Sequence, residues 1–480
     1  MTDEGMTTAM TAPAPSDFEG RRAYGRAARI HTPRTSHGDW SPPEDRPDPV
    51  SLLEQQATSR VPDLVPIRHG RMMVSPFTFY RGAALLMASD LSRTPSSGLT
   101  VQLCGDAHLS NFGVFASPER RLVFDINDFD ETHPGPFEWD LKRLVASVEI
   151  AARYRGFTDE ERRTAILATG RGYREQMLHA AAAGVLESWY DHLDVDDVES
   201  WLRNQPVQDQ PGKRQLKTFD SVVAKARTRD SMQAFSKLVT NEGGRMRIIA
   251  DPPLIVPVED LFPDGEIVQD TVGGMRDILD SYRQTLSTAN HPLAEFTYVH
   301  MARKVVGVGS VGTRAWIVLM RGRDDADPLF LQAKEAQASV LEAFLEPCAY
   351  ENQGERVVRG QRLMQGSSDI FLGWQRVRGE GGIERDYYVR QLRDWKGSFD
   401  AEKAVARGLA LYANLCGATL ARAHARSGDR VELAAYIGKS DSFDQAIADF
   451  AEKYADQNDA DYAAFLAAID SGRLEAVQGL

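Results

Sequence analysis

Gly105-Asp106-Ala107-His108-Leu109-Ser110-Asn111, followed after a gap by Phe124-Asp125-Ile126-Asn127-Asp128-Phe129-Asp130, is the most informative part of this chain. The apolar run Leu99 to Cys104 predicts a short buried strand ahead of the first string, and Leu122 to Ile126 predicts a second strand leading into the next. Asp106 and Asn111 stand five residues apart, with a glycine before the aspartate to permit a tight turn. Asp125 and Asp128 lie fourteen and seventeen residues beyond Asn111. Phosphoryl transfer needs such a set. One carboxylate orients the attacking hydroxyl and takes its proton, while an Asn and an Asp hold Mg²⁺ against nucleotide phosphates. Singly, such residues are turn formers and helix caps; their order and spacing point to chemistry. A metal hydrolase using Asp106, His108, Asp125 and Asp128 has suitable ligand types but no His-x-x-x-His pair, so His108 reads as a loop-packing residue.

The rest of the composition is that of an ordinary globular protein: 480 residues, 42% hydrophobic and 26% charged. The net charge of -13 argues against a dedicated nucleic-acid binder, and no apolar run is long enough for a membrane span. The first twenty residues lack a basic start and an apolar core, so the expected location is cytoplasmic. Cys104, Cys348 and Cys416 are too scattered for a disulfide framework or a zinc site. Residues 1–50 read as a largely disordered tail with a short helix from Phe18 to Ile30. Trp139 to Arg155 predicts an amphipathic helix, with Leu141, Leu144, Val145, Val148 and Ile150 near one face.

Nothing before Gly105 can cradle a nucleotide, but the second half of the chain can. Gly307-Val308-Gly309-Ser310-Val311-Gly312 is a Gly-x-Gly-x-x-Gly placed between two strand-like runs, where glycines let backbone N–H groups approach phosphate. Lys334 ends the strand-like run Leu329 to Lys334 and is expected to contact the α- and β-phosphates. Its partner is a helical Glu: Glu355 has the most kinase-like spacing, with Glu342 and Glu346 as alternatives. Two further strands, Ile370 to Val377 and Tyr387 to Leu392, flank Gly379-Glu380-Gly381-Gly382, a strong hairpin signal. After Lys396-Gly397-Ser398 the chain returns to Ala-rich helices.

The loop string resembles the aminoglycoside-phosphotransferase and choline-kinase branch of the protein-kinase-like superfamily. That branch carries His-Gly-Asp-x-x-x-x-Asn and then a strand ending in Asp; here Cys104 stands in place of the His. Gly135-Pro136-Phe137-Glu138-Trp139-Asp140-Leu141 resembles the segment that opens the next helix in those enzymes. The resemblance implies Asp106 as catalytic base, Asn111 and Asp128 as metal ligands with Asp125 beside them, and Asp140 as a brace for the loop. It implies ATP and Mg²⁺ as cofactors, Gly307, Gly309, Ser310, Gly312, Lys334 and Glu355 around the nucleotide, and Gln391 and Leu392 in a hinge along the adenine. Leu415 to His424 resembles the helix that precedes the catalytic loop in ordinary kinases.

Because the cradle follows the loop, the implied fold is α+β: a two-lobed protein-kinase-like fold with circularly permuted element order. Residues 51–296 would form a mostly helical large lobe, 297–398 a small antiparallel-sheet lobe, and 399–480 the helices completing the large lobe. Strings along the chain, among them Pro76 to Gly82, Trp139 to Leu144, Gln332 to Ala336 and Tyr454 to Gln457, resemble the uncharacterised bacterial family catalogued as domain of unknown function twenty-two fifty-two. The expected activity is ATP- and Mg²⁺-dependent phosphotransfer to a hydroxyl of an unidentified small molecule or protein. Kinase-fold nucleotidyl transfer (adenylylation) and a non-catalytic nucleotide-binding scaffold are the alternatives. Arg81 is a candidate for binding a phosphate or an acidic substrate, and Lys142 and Arg143, which follow Asp140, are further candidates for the site, although helical Lys and Arg are usually solvated or paired with acids.

Overall fold

The computed structural model describes residues 17–204, 213–229, 231–243, 245–261, 278–288, 290–378, 382–392 and 395–480. Its first strands are β1 (Thr100–Leu103), β2 (Phe112–Ala116), β3 (Leu122–Ile126) and β4 (His133–Pro136), with β1 paired to β4 and β2 to β3, both antiparallel. A hairpin of β5 (Val239–Glu242) and β6 (Arg245–Ile248) follows. Then come β7 (Ile255–Pro257), β8 (Thr297–Lys304), β9 (Ala315–Arg321), β10 (Pro328–Ala336), β11 (Gly373–Arg378) and β12 (Glu384–Gln391). These last six form one antiparallel sheet in the order β11-β12-β10-β9-β8-β7. Pro257 sits in the edge strand β7, where its missing N–H breaks no ladder. The tip of the β11–β12 hairpin, residues 379–381, lies outside the described residues, as do residues 393–394 of the expected hinge.

The sheet is covered on both faces. Ile317, Leu319, Phe330 and Leu392 pack with Ala234 and Leu238 from the Ser231–Leu238 helix, and Val318, Met320, Leu329 and Leu331 pack with Tyr282 and Leu286. Alternation of apolar residues to opposite faces produces these two separate clusters. Among the described residues no helix is long and apolar enough to cross a membrane.

The Phe137–Tyr154 helix runs through the largest core, packed against helices Asp159–Ala182, Ala406–Ser427 and Ser442–Asp470. Its apolar face is the predicted one, but the opposite face is buried too. Glu149 accepts from Arg153 at 2.6 Å and Arg162 at 3.0 Å, and the Lys142 ammonium lies 4.8 Å from the Phe450 ring centroid. Polar residues at helical spacing therefore mark internal ion pairs here rather than a wet surface.

The segment expected to be a tail is folded from residue 17 onward; residues 1–16 lie outside the described residues. Asp17 caps a Phe18–His31 helix through Gly20 N–H, and this helix packs on Arg430–Ile437. Gly25 is needed at the contact, because a Cβ there would stand 2.1 Å from the Glu432 carbonyl oxygen. Arg29 and Arg34 donate to the carbonyls of Tyr436 and Ile437, and His37 Nε2 is 2.7 Å from the Tyr436 hydroxyl. Arginine-to-carbonyl docking leaves no apolar period in the sequence, which is why these residues resembled a tail.

Candidate functional site

The loop between β1 and β2 turns at Gly105, whose φ of +82° and 2.1 Å approach of a hypothetical Cβ to the Glu131 carbonyl exclude a side chain. The Asp140 carboxylate accepts the N–H of Cys104 at 2.7 Å and of Gly105 at 3.0 Å, and His424 Nε2 lies 3.2 Å away. Asp140 thus braces the loop without entering the pocket. Asn111 Nδ2 donates to the Asp106 carbonyl at 2.7 Å, closing the turn from within. Arg143, one helical turn past Asp140, grips Asp106 Oδ1 through Nε at 2.6 Å and Nη2 at 2.5 Å. Burial raises the Asp106 carboxyl above its usual range, and the Arg143 charge opposes that shift. His108 Nε2 is 3.6 Å from Asp106 Oδ2, but burial and the neighbouring Arg81 and Arg143 charges keep the ring neutral.

Lys334, on β10, is buried behind the pocket's acids and does not itself line the pocket, where the β10 residues are Glu335 and Ala336. The Lys334 Nζ lies 2.7 Å from Asp130 Oδ2 and 3.7 Å from Asp128 Oδ1. The register pairs Lys334 with Tyr388 and Gln332 with Arg390, so all four share one face of the sheet. Tyr388 donates to Asp130 Oδ1 at 2.5 Å, and Ser310 Oγ donates to Asp130 Oδ2 at 3.2 Å. Burial by itself would depress the Lys334 amine, but the two carboxylates outweigh it and raise its pKa. For Asp130 burial is likewise outweighed by Lys334, which holds the carboxyl below its usual range. Asp128 is pushed up by burial and the Asp130 charge. Asp130 is the closer ion-pair partner of Lys334, with Asp128 beside it.

The Gly307–Gly312 segment closes the same pocket. Gly307 and Gly312 have φ of +66° and +94°, conformations that L side chains rarely adopt. The segment is pinned: Val61 N–H donates to the Gly312 carbonyl at 2.8 Å, Arg71 Nη1 to Gly307 at 2.6 Å, and Arg60 Nη1 to Val311. Asp106, Asn111, Asp128, Asp130, Gly307, Gly309 and Ser310 all line this cavity of about 230 Å³.

Some predicted residues stand elsewhere. Asp125 does not join Asp128: it accepts from Ile126 N–H at 2.8 Å and Gly366 N–H at 3.0 Å, and its charge faces Arg426. Strand alternation and the turn after β3 separate the two aspartates. Glu355 does not reach Lys334 but pairs with Arg359 at 3.2 Å in the first turn of the Gln353–Met364 helix. The next residue, Arg356, faces the loop instead and donates to the carbonyls of Asp130, Thr132 and Gln337. Glu342 accepts from Cys348 N–H, and the Glu346 carbonyl bonds His133. The carboxylate partner of Lys334 thus comes from the loop. Gln391 N–H donates to Asp369 at 2.6 Å and Leu392 N–H to the Phe330 carbonyl at 2.9 Å. Gln391 borders a separate cavity of about 40 Å³ with Asn127, Arg390 and Lys396.

Asp130 and Tyr388 were missed by sequence reasoning, and Arg143, singled out there only as a substrate contact or an acid-paired helical residue, pairs with Asp106. Asp130 sits two residues beyond Asp128 in the decisive string, and the family pattern stops at the earlier aspartate. Arg143 and Tyr388 carry no motif; only helical and strand register brings them to the acids.

Among the described residues no three His, Cys, Asp or Glu side chains are arranged to hold a metal ion. Asn111 and Asp128 line the one pocket, and with the Asn111 amide nitrogen committed to Asp106, its oxygen is the available ligand atom. Mg²⁺ commonly takes only one or two protein ligands, with substrate phosphates and water supplying the rest. The pair fits that ion.

These contacts define an α+β protein in which an acid-rich loop and a lysine-bearing antiparallel sheet close on one pocket. The chain belongs to the family described as uncharacterized protein conserved in bacteria (DUF2252), whose sequence model matches residues 60–468, including both halves of the site. Neither the curated proteins nor the solved structures contain a match to it.

Proposed function

We propose that the chain is an ATP- and Mg²⁺-dependent phosphotransferase of protein-kinase-like, circularly permuted architecture that acts on a hydroxyl. The observation carrying this reading is the meeting of Lys334 Nζ with Asp130 and Asp128 at 2.7 and 3.7 Å, beneath a glycine segment and beside Asp106. The sheet supports it as well. The glycine segment joins β8 to β9, Lys334 lies on the next strand of the meander, and β12 returns between β10 and β11 after a helix. In this reading Asp106 accepts the proton of the acceptor hydroxyl, with Arg143 fixing its orientation. Glycine-segment N–H groups and Lys334 hold the phosphates, whose charge displaces Asp130 as the lysine's partner. Asn111 and Asp128 would hold Mg²⁺, which neutralises charge on the phosphate oxygens when bound.

One observation favours a second reading, nucleotidyl transfer with the nucleotide reversed. Besides a cavity of about 410 Å³ that Gln391 also borders and that shares no residue with the glycine-segment pocket, the cavity lined by Gln391, Arg390 and Lys396 measures about 40 Å³. That is room for little more than water, and its cations suit phosphate better than a purine. The test is incubation of the full chain with Mg²⁺ and ATP labelled separately on the α- and γ-phosphates. Movement of γ label to an acceptor supports phosphotransfer, movement of α label supports nucleotidyl transfer, and failure to bind ATP at all defeats both.

A further inference from the structure

We infer that Arg60 and Arg81 form the seat for an anionic group, phosphate or carboxylate, on the acceptor, so that the substrate is a small anionic alcohol. This rests on the phosphotransferase reading and adds the substrate class to it.

The inference comes from accounting for charge in the pocket. Its acids are already engaged. Asp106 takes Arg143, Asp130 and Asp128 take Lys334, Glu335 takes Arg314 at 3.3 Å, and Glu131 accepts from Val340 N–H at 2.8 Å. Two cations in the lining, Arg60 and Arg81, make no direct ion pair, although the charges of Glu131 and Asp106 attract them from further off. Arg60 is only 9% exposed and donates one bond, to the Val311 carbonyl, while its Nε is buried without a partner. Arg81 donates no hydrogen bond among the described residues, and its Nε is likewise buried and unpartnered. A guanidinium N–H held out of water without an acceptor is costly. Two of them beside a reaction pocket are best explained by a ligand that supplies the acceptor oxygens, because the guanidinium fork matches carboxylate and phosphate geometry.

The nucleotide is not that ligand in this reading, because Lys334 and the glycine segment already serve its phosphates. Both arginines come from the helical region before β1, and Arg60 also touches the glycine segment through the Val311 carbonyl, so the pair stands where the cradle meets the rest of the pocket. The cavity is about 230 Å³, and the glycine segment over it is tied down by Val61 and Arg71, dimensions that suit a small acceptor.

The test uses the full chain saturated with Mg²⁺ and a non-hydrolysable ATP analogue, titrated with inorganic phosphate or with malonate in a calorimeter. The analogue's own affinity is measured separately. Binding of phosphate but not malonate identifies a phosphorylated acceptor, and the reverse identifies a carboxylate; either result supports the inference. Arg81→Gln is expected to weaken the anion by about tenfold or more with nucleotide affinity unchanged. Arg81→Lys, which keeps the charge but loses the fork, should fall between. Absence of binding by either anion overturns the inference, as does an Arg81→Gln variant that loses nucleotide and keeps the anion. In both cases the phosphotransferase reading stands. If the analogue itself does not bind the native chain, that underlying reading fails and the acceptor assignment falls with it.

Discussion

The Asp140 carboxylate and the His424 imidazole lie 3.2 Å apart in the helical core although 284 residues separate them, and the same carboxylate receives the N–H groups of Cys104 and Gly105. The shape of the loop is therefore set from behind by two helices far apart in sequence. Asp140→Ala leaves two buried backbone donors unsatisfied, each worth about 1–3 kcal/mol. Urea denaturation should show a loss of about 3 kcal/mol, with Asp140→Asn losing less because it keeps one acceptor oxygen. A loss below about 1 kcal/mol for the alanine variant would show that the loop holds itself.

Lys334 and Asp130 can be separated by substitution. Lys334→Ala should lower phosphotransfer by about a hundredfold or more and weaken nucleotide binding, since the phosphates lose their charge partner. Asp130→Asn should preserve nucleotide binding, because it releases the lysine rather than removing it. If Asp130→Asn abolishes Mg²⁺-dependent nucleotide binding as completely as Asp128→Asn does, Asp130 is the metal ligand and the assignment of the two aspartates must be exchanged.

Asp106→Ala removes the proposed base and leaves Arg143 buried opposite an empty position. Transfer to the acceptor should fall to background while ATP affinity survives, measured by equilibrium binding of labelled nucleotide. Full activity in this variant would remove Asp106 from the chemistry. A folding control is needed, because an unpaired buried arginine destabilises by about 3 kcal/mol or more.

His37 supplies a pH test of the N-terminal packing. Buried against Tyr436 and Phe443, its pKa is pushed down from 6.5 to about 3 by desolvation, with Lys142 adding repulsion. The folded state thus takes up this proton less readily than the unfolded chain. Its contribution is fully present above pH 6.5 and is lost as pH falls towards 3. The slope from one such group approaches about 1.4 kcal/mol per pH unit. Between pH 7 and 5, His37→Gln should flatten the stability profile relative to the native chain; identical slopes would mean the imidazole is not buried as described.

Much of the site was legible because its parts are local. Gly105 to Asn111 forms one turn, Gly307 to Gly312 another, and Lys334 ends a strand whose apolar pattern is plain. The brace by Asp140 was legible from resemblance alone. What stayed hidden depends on rotation or long-range docking. Whether Glu355 or Arg356 faces the loop is a matter of about 100° around a helix axis, which sequence spacing alone does not resolve. Asp125 and Asp128 are near neighbours in sequence but leave the strand in different directions. Within residues 17–50 the helix at Phe18 was legible, but its docking was not, because arginines reaching for carbonyls, and His37 reaching for Tyr436, produce no hydrophobic period. Arg143 gave no sign of its role because an internal ion pair and a solvated arginine look alike in sequence.

The separation of 204 positions from Asp130 to Lys334 also bears on biosynthesis. At ordinary translation speeds of about 5–20 residues per second, the acidic loop leaves the ribosome roughly 10–40 s before the lysine that neutralises it. For that interval the nascent chain carries its carboxylates without their cation, and the Asp140 brace still awaits His424. A chain interrupted before Lys334 would lack both, and one interrupted between Lys334 and His424 would hold the lysine without the completed brace. The site is therefore completed late in synthesis and in two stages.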